Sequence, residues 1–421
     1  MLNKPRILHL SDSPLTVTGF ATVSKDVCNY LSSTSKYDMH YVGHNYLGQT
    51  LTPGTTFEDN TKLKFTLHGM GREQYCNDII EPLIKELKPQ LFTVLLDTFM
   101  LVPPNANYLV KDLSPAKTVF YYPSDGGREE KGTGRLPLYC ESILQKFGNS
   151  VAMSRFAQRQ AEKVHGIKSH YIPHGVWTNI YFPLGQNIKD LLKQNLSGFA
   201  VTSTGQLAPA NINAKNKFIV GSVYRNQGRK MADRQLKAFA KFAKDKDDVL
   251  FYLHSDPTDA AAVFNSIEFI KELGIQNKVL FSGMRYFKGF TVQKMREVYN
   301  LMDVFFLSTS GEGFGVPTLE AMSCGVPTIV TDYTTTQELL IEDGKCGEPV
   351  RVAEELIGTY NVPRAIMDTD DAAEKLNKLY HDRAYAKKLG EVGRKKAVEF
   401  YDYQRIIGPQ WDKYFENILN E

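Results

Sequence analysis

The chain has 421 residues, 42% of them hydrophobic and 23% charged, with a formal charge of +3. That length exceeds what one hydrophobic core usually supports, so two domains are expected, and the composition excludes a disordered chain. The mild positive charge does not by itself announce nucleic-acid binding, and no apolar run approaches the ~20 residues needed to cross a bilayer.

Along the chain, residues 6–10 read as a first strand and residues 11–18 as a turn-rich loop. Met1 to Arg6 lead into that strand without the apolar core of a signal peptide, so a cytoplasmic protein is expected. Five scattered cysteines (Cys28, Cys76, Cys140, Cys324, Cys346) without a C-x-x-C pair fit buried thiols in a reducing compartment. Val23, Val27 and Leu31 share one helical face. Cys76, Ile79, Ile80, Leu83, Ile84 and Leu87 recur at the spacing of a half-buried helix. Residues 91–96 are a continuous apolar run of the kind found in parallel sheets covered on both faces, and residues 119–122 and 150–153 continue the series. A polar, turn-rich stretch over about 185–216 breaks the rhythm and is the best candidate for an inter-domain excursion. Strand-length runs then resume at 218–223, 249–253, 279–281, 304–307 and 328–330. Strand–helix alternation of this regularity predicts two doubly wound α/β sheets. Near the end, Ile407, Trp411, Tyr414, Phe415 and Ile418 form an apolar stripe that must pack on something; pattern alone leaves open whether that is the first domain or its own.

The chemistry concentrates in residues 308–327. Gly311, Gly313 and Gly315 follow a predicted strand, at the end where open α/β sheets place their ligands, and let backbone approach a ligand closely. Pro317 suits the first turn of a helix, where its missing N–H costs nothing. The amides and dipole of that helix start make a cradle for a diphosphate. Glu312 lies before the helix and Glu320 inside it, and both carboxylates suit vicinal hydroxyls of a sugar or ribose. On spacing alone, the alternative is a glycine-rich turn followed by a solvated helix.

The stretch Glu312-Gly313-Phe314-Gly315-Val316-Pro317-Thr318-Leu319-Glu320-Ala321-Met322-Ser323-Cys324-Gly325-Val326-Pro327 resembles the signature of the retaining glycosyltransferases of family 4. That resemblance implies the GT-B fold: two facing Rossmann-like α/β domains with a C-terminal helix crossing back. The domains are then expected at 1–183 (acceptor side), 184–400 (nucleotide-sugar donor side) and 401–421 (the crossing helix). Upstream, Gly221 to Lys230 resembles the family's strand–loop–helix, which implies that Arg225 and Lys230 grip the donor diphosphate. A guanidinium fork and an ammonium point charge suit that task and the charge of a departing phosphate. By the same resemblance Gly313, Phe314, Gly315 and Val316 line the donor, Glu312 holds sugar hydroxyls and Glu320 the ribose. Gly19 and Phe20 stand in the family's glycine loop, with one glycine where two are common. Asp125 is retained beside Ser124, which stands where many relatives carry a histidine; Asp125 could meet the acceptor hydroxyl or serve the strand end.

The implied reaction is hexose transfer from a UDP-glucose-type or GDP-mannose-type donor to a hydroxyl acceptor of unnamed class, with retention and with no metal or other cofactor. Asp368-Thr369-Asp370 spells D-x-D but sits at a predicted helix start, where N-capping is expected. DNA carrying a hydroxylated base is an alternative acceptor: Arg128, Lys131 and Arg135 could meet phosphates, although Glu129 and Glu130 dilute the charge. Rival readings are a sugar-nucleotide epimerase or phosphorylase of similar fold, and a non-catalytic nucleotide-sugar binder.

Overall fold

The central strands arise where the chain offers short apolar runs, and their side chains are almost wholly buried because helices cover both faces of the sheet there. The computed structural model describes residues 4–56, 62–127, 138–285 and 289–421; Arg128 to Arg135 lie outside the described residues. Contacts divide the chain into two units, one of residues 1–175 with 403–421 and one of residues 176–402.

The first unit is built on β1 (Arg6–Asp12), β2 (Asp38–His44), β3 (Thr66–His68), β4 (Leu91–Leu95), β5 (Lys117–Tyr122), β6 (Asn149–Ala152) and β7 (His170–Tyr171). They form a parallel sheet in the order β3-β2-β1-β4-β5-β6-β7. The order reverses between β1 and β4, so the loop after β1 opens at a switch point. The C-terminal helix Gly408–Asn420 belongs to this unit. Trp411 meets Tyr121 edge-on at 4.8 Å and Phe415 meets Tyr37 at 6.0 Å. Lys36 donates to Asp412 at 2.6 Å and to Glu416 at 2.7 Å. The apolar stripe read from sequence thus packs on the first domain.

The second unit holds β8 (Leu196–Val201), β9 (Leu207–Ile212), β10 (Phe218–Val223), β11 (Val249–His254), β12 (Val279–Phe281), β13 (Val304–Leu307), β14 (Thr328–Thr331) and β15 (Gly347–Val350). The order is β15-β14-β13-β10-β11-β12-β8-β9, with the reversal between β10 and β13. A separate antiparallel hairpin, β16 (Val352–Ile357) with β17 (Pro363–Met367), follows. The expected excursion over 185–216 is corrected here: it is helix Gln186–Gln194 plus the hairpin β8–β9, which pairs antiparallel with β12 and extends the donor-half sheet. It hid from the sequence because an edge hairpin is only half covered, so its residues never form a continuous apolar run.

Helix Val316–Ser323, which opens from the glycine-rich segment, lies against the long helix Arg383–Phe400. The contact is backbone on backbone: a Cβ at Gly390 would stand 2.2 Å from the carbonyl oxygen of Gly325. No side chain can swing aside there, so Gly390→Ala should destabilise the fold by about 1–3 kcal/mol, read as a lower urea midpoint; an unchanged midpoint would contradict this packing.

Candidate functional site

Because β10 and β13 are neighbours with their crossovers running to opposite sides, the loops leaving their carboxyl ends stand side by side. After β10 the chain makes the short turn Gly228–Lys230, and Met231, held left-handed at φ 47°, swings it into helix Ala232–Ala243. After β13 comes the glycine-rich segment. Several bonds stitch the two loops together: Ser308 Oγ donates to the carbonyls of Lys230 (3.0 Å) and Met231 (2.8 Å), the Ser310 amide donates to the carbonyl of Arg229 (2.7 Å), and Arg229 Nη1 donates to the carbonyl of Gly311 (3.3 Å). From β14's side, the Thr334 hydroxyl accepts from the Glu312 amide and donates to the Glu312 carbonyl, both at 3.0 Å. Thr335 Oγ1 donates to the Phe314 carbonyl at 2.7 Å. The Ala365 amide of β17 reaches the Ser310 carbonyl at 3.2 Å. Gly315 takes φ 102°, a conformation that requires glycine. It N-caps helix Val316–Ser323 without any side-chain cap, and Pro317 sits in the first turn.

The side chains in this crevice are paired by charge. Lys230 Nζ donates to Glu312 Oε1 at 2.5 Å, and Arg229 Nη1 to Glu312 Oε2 at 3.0 Å. Both Lys230 and Glu312 are buried. Burial pushes the Glu312 carboxyl up, but the charges of Lys230 and then Arg229, with hydrogen bonds from Lys230 and Thr309, win and hold it at about 2. Arg225 grips Asp259 with its fork, Nε to Oδ2 at 2.6 Å and Nη2 to Oδ1 at 3.2 Å. The Arg225 hydrogen bond is the main reason Asp259 titrates below the usual carboxylate range. Glu320 accepts a hydrogen bond from the buried phenol of Tyr299 at 2.6 Å.

Of the residues singled out in the sequence, Lys230 and Glu312 are in direct contact, while Arg225 pairs with Asp259 and Glu320 with Tyr299. Arg229, Asp259 and Tyr299 were not singled out by sequence. Arg229 is the immediate neighbour of Lys230, and Asp259 lies in the loop after β11, the strand beside β10; counting carboxyl-end loops could have found it. Tyr299 carries no such signal, since it reads as an aromatic on an amphipathic helix.

In the first unit, Gly19 begins helix Gly19–Ser33 behind the N-cap Thr18, whose hydroxyl accepts from the Ala21 amide and donates to Asp12. Gly19 is exposed, no atom lies within 4 Å of where its Cβ would be, and Phe20 is half-buried beside it. Asp125 is half-buried after β5. Ser124 donates to Oε1 of the buried Gln160, whose Nε2 donates to the Gly126 carbonyl at 3.1 Å. Its hydroxyl therefore latches the loop. Asp368 accepts from the amides of Asp370 and Asp371 and so caps helix Thr369–His381. Among the described residues no cluster of three or more His, Cys, Asp or Glu could hold a metal ion, and no helix is long and apolar enough to cross a membrane.

Residues 206–396 match the model of the family described as Glycosyl transferases group 1. N-acetyl-alpha-D-glucosaminyl L-malate synthase of Bacillus anthracis is 25% identical over 186 residues, 44% of this chain and 42% of that protein. Mannosylfructose-phosphate synthase of Agrobacterium fabrum is 27% identical over 169 residues, 38% of this chain and 32% of that protein. The chain thus spans less than half the length of these relatives. Among solved structures, sucrose-phosphate synthase from Thermosynechococcus elongatus superposes over 99% of this chain and 100% of its own, with a TM-score of 0.74 at 14% identity. Anabaena HepE, solved in complex with UDP and glucose, superposes over 98% of this chain and 100% of its own, with a TM-score of 0.64 at 15% identity. These likenesses establish the fold: two Rossmann-like parallel-sheet domains of GT-B type.

The Glu312 carboxyl is depressed, so its pairing stabilises the fold fully above pH 4.5, its ordinary value, and the contribution fades as pH falls to about 2. Lys230→Ala should cost on the order of 3 kcal/mol at neutral pH, because a buried carboxylate loses its nearest cation. The gap between variant and parent should narrow on acidification. Denaturation curves across pH check this, and a gap that is constant or widens toward low pH would count against the pairing.

Proposed function

From the match of residues 206–396 to the glycosyl transferases group 1 model, we propose that the chain is a member of that family and a retaining, metal-independent hexosyltransferase that uses a nucleotide-diphosphate sugar. The observation that carries this reading is the meeting of Lys230, Arg229 and Glu312 beside a glycine-led helix start without a side-chain cap, in the crevice between the loops after β10 and β13. Cations and the amides of a helix start at one spot suit a diphosphate, and a carboxylate among them suits sugar hydroxyls.

In the proposed reaction the acceptor hydroxyl attacks the anomeric carbon from the face that the nucleoside diphosphate leaves. The bond to the phosphate oxygen breaks through an oxocarbenium-like transition state, and the departing phosphate takes the acceptor's proton. Charge accumulates on that phosphate. Arg225, Lys230 and the amides of Gly315 and Val316 stabilise it, and they act most where the charge is greatest, which is what accelerates the step. Arg225 then exchanges the carboxylate of Asp259 for phosphate oxygens, a swap between two partners of the same bidentate geometry. Glu312, kept ionised by Lys230 and Arg229, orients the sugar, and Glu320 takes the ribose. The pairing of two cations with Glu312 also supports a scheme in which side chains supply the positive charge that a metal supplies elsewhere. On the acceptor side Gly19, Phe20 and Asp125 remain the candidates, and Ser124 is tied to Gln160 rather than to chemistry. HepE's complex with UDP supports a uridine nucleotide as the first donor to try.

Nucleotide binding tests this directly. UDP or GDP at a hundredfold excess over Kd should stabilise the protein by about 2.7 kcal/mol, and Arg225→Ala should abolish most of that gain while leaving the fold intact. Slow hydrolysis of UDP-glucose or GDP-mannose without acceptor should fall with it. Conversion of either donor into an epimeric sugar nucleotide would establish the epimerase instead, and equal stabilisation of parent and variant would remove Arg225 from the site.

A further inference from the structure

We propose that Tyr299 is a positioning residue whose phenol fixes the carboxylate of Glu320 for the ribose of the bound nucleotide. This rests on the donor site described under Proposed function, and it adds a residue to that site that contacts the nucleotide only through another.

Tyr299 lies on helix Val292–Leu301, which precedes β13, whereas Glu320 lies on helix Val316–Ser323, which follows it. The hydroxyl therefore bridges the two helices that flank one strand. Its ring is fully buried. It stands edge-on to Tyr181 at 6.0 Å and tilted against Phe305 of β13 at 6.2 Å. With rings on two sides, the phenol has little freedom, and its O–H is delivered to Glu320 Oε2 at 2.6 Å. Burial, and after it the nearby Glu320 charge, pushes the phenol's titration well above its ordinary value, so it stays a proton donor at any working pH. Glu320 itself is only half-buried, so one end of the carboxylate is anchored in the core and the group reaches the surface. An unanchored glutamate must lose rotamer freedom on binding; an anchored one has already lost it on folding. The chemistry of such a fixed acceptor fits the vicinal hydroxyls of a ribose and gives nothing to a sugar that lacks them.

Tyr299→Phe keeps the ring and removes only the hydroxyl. The measurement is calorimetric Kd for UDP and for dideoxyuridine diphosphate, with the guanosine pair run in parallel, on the parent, Tyr299→Phe and Glu320→Ala. The parent should prefer the ribonucleotide, and Glu320→Ala should erase that preference. Tyr299→Phe should weaken ribonucleotide binding by roughly three- to tenfold, the size of one hydrogen bond, while leaving the dideoxy Kd unchanged. A loss of packing would weaken both nucleotides equally, and that outcome overturns the proposal. So does an unchanged preference in Tyr299→Phe when Glu320→Ala has lost it. If the parent binds both nucleotides but shows no preference, Glu320 does not read the ribose and the proposal falls with that assignment. If the parent binds neither, the donor site itself falls.

Discussion

A carboxylate as deeply placed as Glu312 persists in a folded protein only because two cations reach it. Taking an ionised group from water costs several kcal/mol, and a single imperfect partner seldom repays that. Here Lys230 and Arg229 come from one turn and Glu312 from another, so the ion cluster dictates where both loops must lie. The hydroxyls of Ser308, Thr334 and Thr335 then hold the backbone in that arrangement. The rest of the site follows from it. With Glu312 fixed, Gly315 must turn left-handed to start the helix, and the amides of that start face the same crevice.

The parallel sheet explains why such a cluster can be assembled at all. Residues 229–230 and 312 are far apart in the chain, but the strand order puts β10 beside β13 and lets their loops depart together. Arg225 and Asp259 meet by the same rule, through β10 and β11. Each cation of the site therefore has a carboxylate from a different loop. Lys230 and Arg229 share Glu312 while Arg225 has Asp259, so the cluster keeps one positive charge in excess, and the guanidinium of Arg225 is already held in the plane in which a fork binds oxygen pairs.

The legible part of this molecule is the part written locally. Glycines at 311, 313 and 315 with a proline at 317 state a backbone requirement in consecutive residues, and buried parallel strands announce themselves as apolar runs. What could not be read depends on partners set by the tertiary fold. Asp259 matters because its loop arrives beside Arg225, and Tyr299 because two helices on either side of β13 bring its hydroxyl to Glu320. Ser124 looked like a missing catalytic group, yet its meaning comes from Gln160, one turn inside a later helix. The hairpin β8–β9 was read as a connector because solvent on one side dilutes its apolar pattern.

The fastening of the segment around Ser310 and Glu312 has a consequence for how the protein matures. Its bonds come from the turn before residue 232, from Thr334 and Thr335 after β14, and from Ala365 in the late hairpin. Contacts so distant along the chain form only after the intervening loops have closed, at a cost in entropy that delays them. The segment is therefore among the parts of the second unit whose order depends most on completed tertiary contacts. Loss of the late hairpin would remove the Ala365 amide from the Ser310 carbonyl and free that side of the segment, while the strands and helices that precede it keep their own hydrogen bonds.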